Sequence, residues 1–170
     1  TETMISFPKG IGITLYGIPS KSYEKYLNLE QMGISLKKFE DGEQVVLLFP
    51  EIKDGKYFIG QKAYDTAGLH AGDSISLEFY GKSGTASDRA APVSVGTTVC
   101  KVGAIVAASD FPELGKYMIY EGAAYSILCS DAAFWKIMND LELNKNISNS
   151  YVTGIGEAYS HALIFTSMNA

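Results

Sequence analysis

The sequence predicts an α+β fold: two mixed α/β stretches, residues 1–50 and 115–170, on either side of a small β-rich stretch, residues 51–114. Three observations predict it. A strand, a helix with an apolar stripe and a second strand succeed one another before Pro50. Between Glu51 and Leu114 the helical spacing of apolar residues fades into short apolar runs punctuated by Gly, Asp and Ser. After Tyr125 the order of strand, helix and strand returns.

Each element has its own reason. Gly12–Ile18 reads as an opening strand that Pro19-Ser20 turns into a helix over Lys21–Met32. Ser20 suits the N-cap, because its hydroxyl accepts a bond from a first-turn amide that has no partner inside the helix. Tyr23, Tyr26 and Leu27 fall at i, i+3 and i+4 and give the helix one face for a sheet. Gly33 ends it, since glycine enters the left-handed conformation at little cost. Leu36–Phe39 is expected to be a turn before the strand Gln44–Phe49, whose unbroken Val-Val-Leu-Leu-Phe run implies burial on both faces.

In the middle stretch, Lys56–Ile59 and Ser74–Tyr80 read as strands, and Leu69–Asp73 as the tight turn before the second. Gly72 supplies the positive φ of that turn, and the Asp73 side chain is placed to bond the backbone two residues on. Gly81–Val95, rich in Gly, Ser, Ala and Pro, reads as a mobile loop, and Thr97–Ala107 as a further apolar strand. Tyr125–Cys129 is the next strand. Ser130 caps a helix running to Leu141, with Phe134, Ile137, Met138 and Leu141 on its buried face and Asp131 at the positive end of its dipole. Tyr151–Ile155 and Ala162–Thr166 close the chain as strands.

Bulk properties exclude several classes. The chain has 170 residues, enough for one domain with its own core, and 46% hydrophobic against 19% charged residues argues against disorder. A net charge of −5 with both signs interspersed leaves no basic face for nucleic acid or anionic lipid. Cys100 and Cys129 are too few for a disulfide framework, and each lies in an apolar stretch. They read as buried free thiols, with a single bridge left open in an oxidising compartment. No run approaches the ~20 apolar residues that span a bilayer. The chain starts at Thr1 without an initiator methionine or a signal-peptide pattern, and is expected to be a piece of a longer protein.

Four strings, in order and at consistent separations, resemble the extracytoplasmic domains of MacB/FtsX-type ABC-transporter permeases. They are Gly17–Leu27 followed by the Glu40–Leu48 strand entry with Phe39 and Gly42 in an F-x-x-G spacing, then Leu69–Phe79 with its G-D-x-I-x-L pattern. Val99–Val106 and the strand-to-helix junction Tyr125–Trp135 complete the set. The likeness runs from Gly12 to Leu141 and is carried by order and spacing, because each string is common by itself. It implies a porter-like α/β lobe formed by both chain ends around the β-rich insertion, with both ends on one side where membrane helices attach. It also implies a domain at the extracytoplasmic face of a bacterial cell membrane that couples and does not catalyse. Its partners would be a cytosolic ATPase subunit, a second permease copy and an extracytoplasmic protein or peptide.

Chemistry-bearing residues are sparse. His70 sits in a turn and reads as a solvated side chain, and His161 borders an apolar run. There is no G-x-S-x-G elbow, no H-x-x-x-H or C-x-x-C pair, and no Walker A loop, so no catalytic, metal or cofactor residue is assigned. Gly10-Ile-Gly12 and Gly154-Ile-Gly156 lack the third glycine of a dinucleotide loop. Asn146-Ile-Ser148 fits a glycosylation sequon, a three-residue match frequent by chance that a bacterial origin would make irrelevant. Eleven tyrosines stand out. Tyr57, Tyr64, Tyr80, Tyr117, Tyr120 and Tyr125 lie near turns or strand ends and are the candidates for an amphipathic binding surface, against a plainer role in half-buried strand positions. Two other functions compete with the permease domain: a secreted carbohydrate- or peptide-binding module using these tyrosines, and a small hydrolase using a serine and one histidine.

Overall fold

The structure is a computed structural model that describes residues 4, 12–20, 23, 27–59, 61–82, 92–114, 123–140, 152–155 and 159–165. Strand β1 is Gly12–Ile18, followed by the short helices α1 (Leu29–Met32) and α2 (Leu36–Glu40) and by strand β2 (Val45–Phe49). Three short strands, β3 (Ile52–Lys53), β4 (Lys56–Ile59) and β5 (Lys62–Asp65), lead through a 3-10 turn, Thr66–Gly68, to β6 (Ser74–Lys82) and β7 (Pro92–Ala107). Strand β8 (Ala123–Ser130), helix α3 (Asp131–Asp140) and strands β9 (Val152–Ile155) and β10 (Tyr159–Phe165) complete the described chain. The class is α+β, with a curled sheet and few helices.

A seven-stranded mixed sheet runs β1-β8-β2-β7-β6-β10-β9, and β10 also pairs with β1, which curls the sheet back on itself. Strand β1 is parallel to β8 and antiparallel to β10, while β2 lies parallel to β7 and antiparallel to β8. A separate three-stranded sheet is made of β3, β4 and β5. The β-rich stretch 51–114 is therefore divided: β3–β5 stand apart, but β6 and β7 pair within the large sheet, with β7 next to β2. Long apolar strands find more buried partners in the large sheet than a small insertion offers, and β7 has 16 residues to pair.

All five residues of β2 are buried, as the continuous apolar run requires. Val45, Leu47 and Phe49 join Ile13, Leu15, Tyr125, Ile127 and Cys129 in one core, closed by Phe134 and Met138 of α3. Val46 and Leu48 join Tyr16, Ile18 and Leu128 in a second core, covered by Leu29 of α1, Phe39 of α2, Tyr23 and Leu27. Strand β7 serves both. The register slips between Val45 and Val46, so Cys100 and Val102 face the first core while Ala104 and Val106 face the second. Gly103 sits at the slip, where a Cβ would come within 2.9 Å of Ile34 Cδ1. Both cysteines are buried free thiols.

Some sequence expectations change. The helix expected over Lys21–Met32 does not run unbroken to its end. The Leu27 amide still donates to the Tyr23 carbonyl at 2.8 Å, but Leu27 and Asn28 interrupt the helix, and Asn28 caps α1 by accepting from the Gln31 amide at 3.1 Å. Ser20 lies next to residues outside the described set, so its capping role is not described. Gly33 does end α1, at φ 82°. The expected turn at Leu36–Phe39 is helix α2, capped by the Ser35 hydroxyl. The expected loop Gly81–Val95 is shortened at both ends by β6 and β7, with residues 83–91 outside the described set. Gly72 takes φ 100° in the expected turn, but the Asp73 Oδ2 atom is buried without a hydrogen bond, 3.5 Å from His70 Nδ1.

Candidate functional site

The predicted tyrosines whose side chains are described, Tyr57, Tyr64 and Tyr125, do not form an exposed surface. Tyr125 is fully buried and Tyr57 nearly so, and only Tyr64 is half-exposed. Tyr125 packs on Phe49 at 5.3 Å, Phe49 on Tyr57 at 4.8 Å, and Tyr57 stacks on Tyr64 at 5.5 Å. Lys62 Nζ covers the Tyr64 ring at 5.3 Å. This chain of rings ties β4 and β5 to the large sheet. Burial is the physical reason the expectation fails for Tyr57 and Tyr125: strand positions facing the core consume the ring's area, leaving none for a ligand. Tyr80 lies in β6, where only its backbone is described, and Tyr117 and Tyr120 fall outside the described residues.

The two histidines stay apart from one another in the topology. His70 is exposed in the turn before β6, and His161 lies in β10 opposite Tyr16 of β1 and Thr153 of β9. Among the described residues no group of three or more His, Cys, Asp and Glu is arranged to hold a metal ion. No helix among them is long and apolar enough to cross a membrane.

A site that sequence reasoning missed lies where β1 and β8 end. Because the two strands are parallel, their carboxyl ends emerge side by side, and Ile18 pairs with Ser130 at the rim. Ligand crevices form outside the carboxyl ends of parallel strands, where successive chain segments turn away from the sheet. Here a cleft of about 330 Å³ opens between Pro19, Ser20, Tyr23, Glu40, Ser130, Asp131 and Ala132. Gly17, one residue before the rim, lets α3 approach: a Cβ there would sit 2.6 Å from Phe134 Cβ. A second, more apolar groove of about 570 Å³ adjoins it through the shared Tyr23, with Leu27, Leu29, Ile34 and Leu36 on its walls.

The cleft's polar groups differ in how free they are. The Ser130 hydroxyl donates to the Glu40 carbonyl at 3.0 Å and accepts from the Ala133 amide at 3.1 Å, so it is committed to capping α3 and holding α2. Tyr23 is only 8% exposed, its ring set edge-on against Phe39 at 5.4 Å. Its burial, with Glu40, Cys129 and Asp131 close by, pushes the phenol up to about 12. Among the described residues neither Glu40 nor Asp131 takes part in an ion pair: the lysines of α2 and α3 that do pair, Lys37 and Lys136, bind Asp41 and Asp140. Among the described residues the cleft thus offers two carboxylates, a phenol and the hydroxyls of Ser20 and Ser130, with no histidine in its lining. The sequence signal was present in the two strand-to-helix junctions, Pro19-Ser20 and Ser130-Asp131, but their meeting depends on β1 and β8 being neighbours.

Comparison of the chain with protein-family models, with curated proteins and with solved structures finds no match in any of the three.

Proposed function

We propose that this chain is the extracytoplasmic domain of an ABC-transporter permease of the MacB/FtsX type, a non-catalytic module that couples membrane-helix motion to substrate export or to an extracytoplasmic partner. The observation that carries the reading is the pairing of Gly12 with Phe165, the first residue of β1 and the last of β10. The first and last long strands thus meet at one position, which suits a domain inserted between two membrane helices, while Met4 ahead of them bridges Ser74 of β6. The four ordered strings of resemblance add to this, and their strand entries fall on β1, β2, β6, β7 and β8. ATP-driven closure of cytosolic subunits would move the flanking helices, and a domain pinned at adjacent ends would tilt as a unit. Dense packing suits that task, because a close-packed interior passes displacement on instead of absorbing it.

The finer architecture belongs to the same proposal: a porter-like lobe formed by both chain ends, with β3–β5 as the part of the insertion that forms a sheet of its own, packed on the lobe through Tyr57 and Tyr64. Among the described residues, the burial of Tyr57 and Tyr125 weighs against a tyrosine-based binding surface at those two positions. Sequencing the gene on either side of this segment tests the proposal. A hydrophobic stretch of ~20 residues on each flank is expected. Polar, secreted-type sequence on both sides would contradict it.

A further inference from the structure

The turn Leu69–Asp73 carries the chain from the small sheet into the large one, and it is clamped to the large sheet. The Gly72 amide donates to the Val102 carbonyl at 2.7 Å, and the Val102 amide donates to the Asp73 carbonyl at 2.8 Å. Leu69, at the start of the turn, packs on the first core. What holds this clamp therefore also helps to hold β4 and β5 against Phe49.

One side chain of the clamp lacks compensation. The Asp73 side chain is only 16% exposed, and its buried Oδ2 atom has no hydrogen bond among the described residues. A buried carboxylate oxygen without a donor destabilises the state that buries it. Its one ion-pair contact among the described residues is with His70, whose Nδ1 lies 3.5 Å away on a side chain 67% exposed. The Asp73 amide donates to the His70 carbonyl at 3.1 Å, so both side chains are carried on one tight turn. Other charged groups of the adjoining elements are engaged elsewhere or face away. Asp65 pairs with Lys56, and Lys62 covers the Tyr64 ring. Lys101 is exposed opposite Ser74, and strand alternation puts it on the other face from Val102 and Asp73. Strand β2, which flanks Val102 on its other side, contains no charged residue.

We propose that His70 and Asp73 form a pH-sensitive latch on the joint between the two sheets: protonation of His70 tightens the turn, and loss of that proton loosens it. An imidazole changes its charge between about pH 5 and 8, a range in which ordinary carboxylates stay ionised. Protonated, His70 brings an N–H donor and a positive charge to the Asp73 Oδ2 atom, which makes a charge-assisted bond. Neutral, it offers at most an uncharged bond, and the buried carboxylate weakens the clamp. The exposure of His70 leaves its side chain free to close the 3.5 Å gap, and also keeps the effect small through solvent screening. The latch does not rest on the permease reading, and either can fail without the other.

The test is hydrogen exchange of the Gly72 and Val102 amides, read by NMR on the whole 170-residue chain. Protection is measured at about pH 5.5 and about pH 8, on either side of imidazole titration, and corrected for intrinsic exchange rates. It should be about two- to threefold greater at the lower pH, the range of an exposed ion pair. His70→Gln, at an exposed position that leaves the fold intact, should show the weaker protection at both pH values. Asp73→Asn removes the buried charge and keeps the backbone clamp, so its protection should be the same at both. No pH dependence in the unaltered chain, stronger protection at the higher pH, or the same dependence persisting in either variant would overturn the proposal.

Discussion

The two sheets of this domain are held by different means. In the seven-stranded sheet, β2 buries five consecutive residues and is covered by a separate core on each face. In the three-stranded sheet, β5 exposes three of its four residues and keeps only Tyr64 half-buried. The small sheet has no core of its own. It leans on the large one through the ring series Tyr125, Phe49, Tyr57 and Tyr64, and its Lys56–Asp65 ion pair is exposed at 3.5 Å and adds little. One sheet therefore sets the stability of the whole, and the other borrows it, so opening should begin at β3–β5.

That contrast can be broken at its strong side first. Phe134→Ala removes the ring that closes the first core against Gly17, and should cost about 3–5 kcal/mol in chemical denaturation, with the whole domain unfolding in one step. A cost under about 1 kcal/mol would mean that α3 is peripheral. Tyr57→Leu probes the joint between the sheets. It keeps apolar bulk but ends the ring contacts, and should cost about 0.5–1.5 kcal/mol. Amide exchange should then speed up in β3–β5 and stay unchanged in β2 and β8; equal acceleration everywhere would erase the distinction between the sheets.

Alkaline pH gives the gentlest contrast. Burial pushes the Cys100 thiol from its ordinary 9.0 up to about 11, and burial with nearby Glu40, Cys129 and Asp131 pushes Tyr23 from 10.0 up to about 12. Both folded-state values lie above the unfolded ones, so the neutral forms favour the fold. Their contribution is complete below the unfolded values and is lost as pH rises through the folded ones. The denaturation midpoint should hold steady up to about pH 9 and fall between about 9 and 12, with Cys100→Ser shifting the onset upward. A decline already present between about pH 7 and 8 would show that other groups govern it.

Much of the local structure was legible because local chemistry decides it. The bounds of β1 and β4 follow from apolar runs stopped by Pro19 and Gly60, and Gly33, Gly72 and Ser130 took the roles their chemistry predicts. Helix α2 was missed because five residues are too few to display a helical period; its sign was the Ser35 cap. Sheet order was not legible. Nothing in the residues of β7 says that it lies parallel to β2, and so nothing announced that β6 and β7 leave the insertion for the large sheet. The cleft was hidden for the same reason. Tyr23, Glu40 and Asp131 are more than a hundred positions apart end to end, and only the β1–β8 pairing brings them to one rim.

The proposed function stands or falls on which side of a membrane this domain faces. The direct measurement is labelling of Lys53→Cys, an exposed position of β3, in the full-length protein in intact cells, using a membrane-impermeant sulfonate thiol reagent. Cys100 and Cys129 are buried and their thiols are held well in the neutral form, so they give little background. Labelling in intact cells equal to that after lysis is the expected result. Labelling that appears only after lysis would place the domain on the cytosolic side and contradict the account.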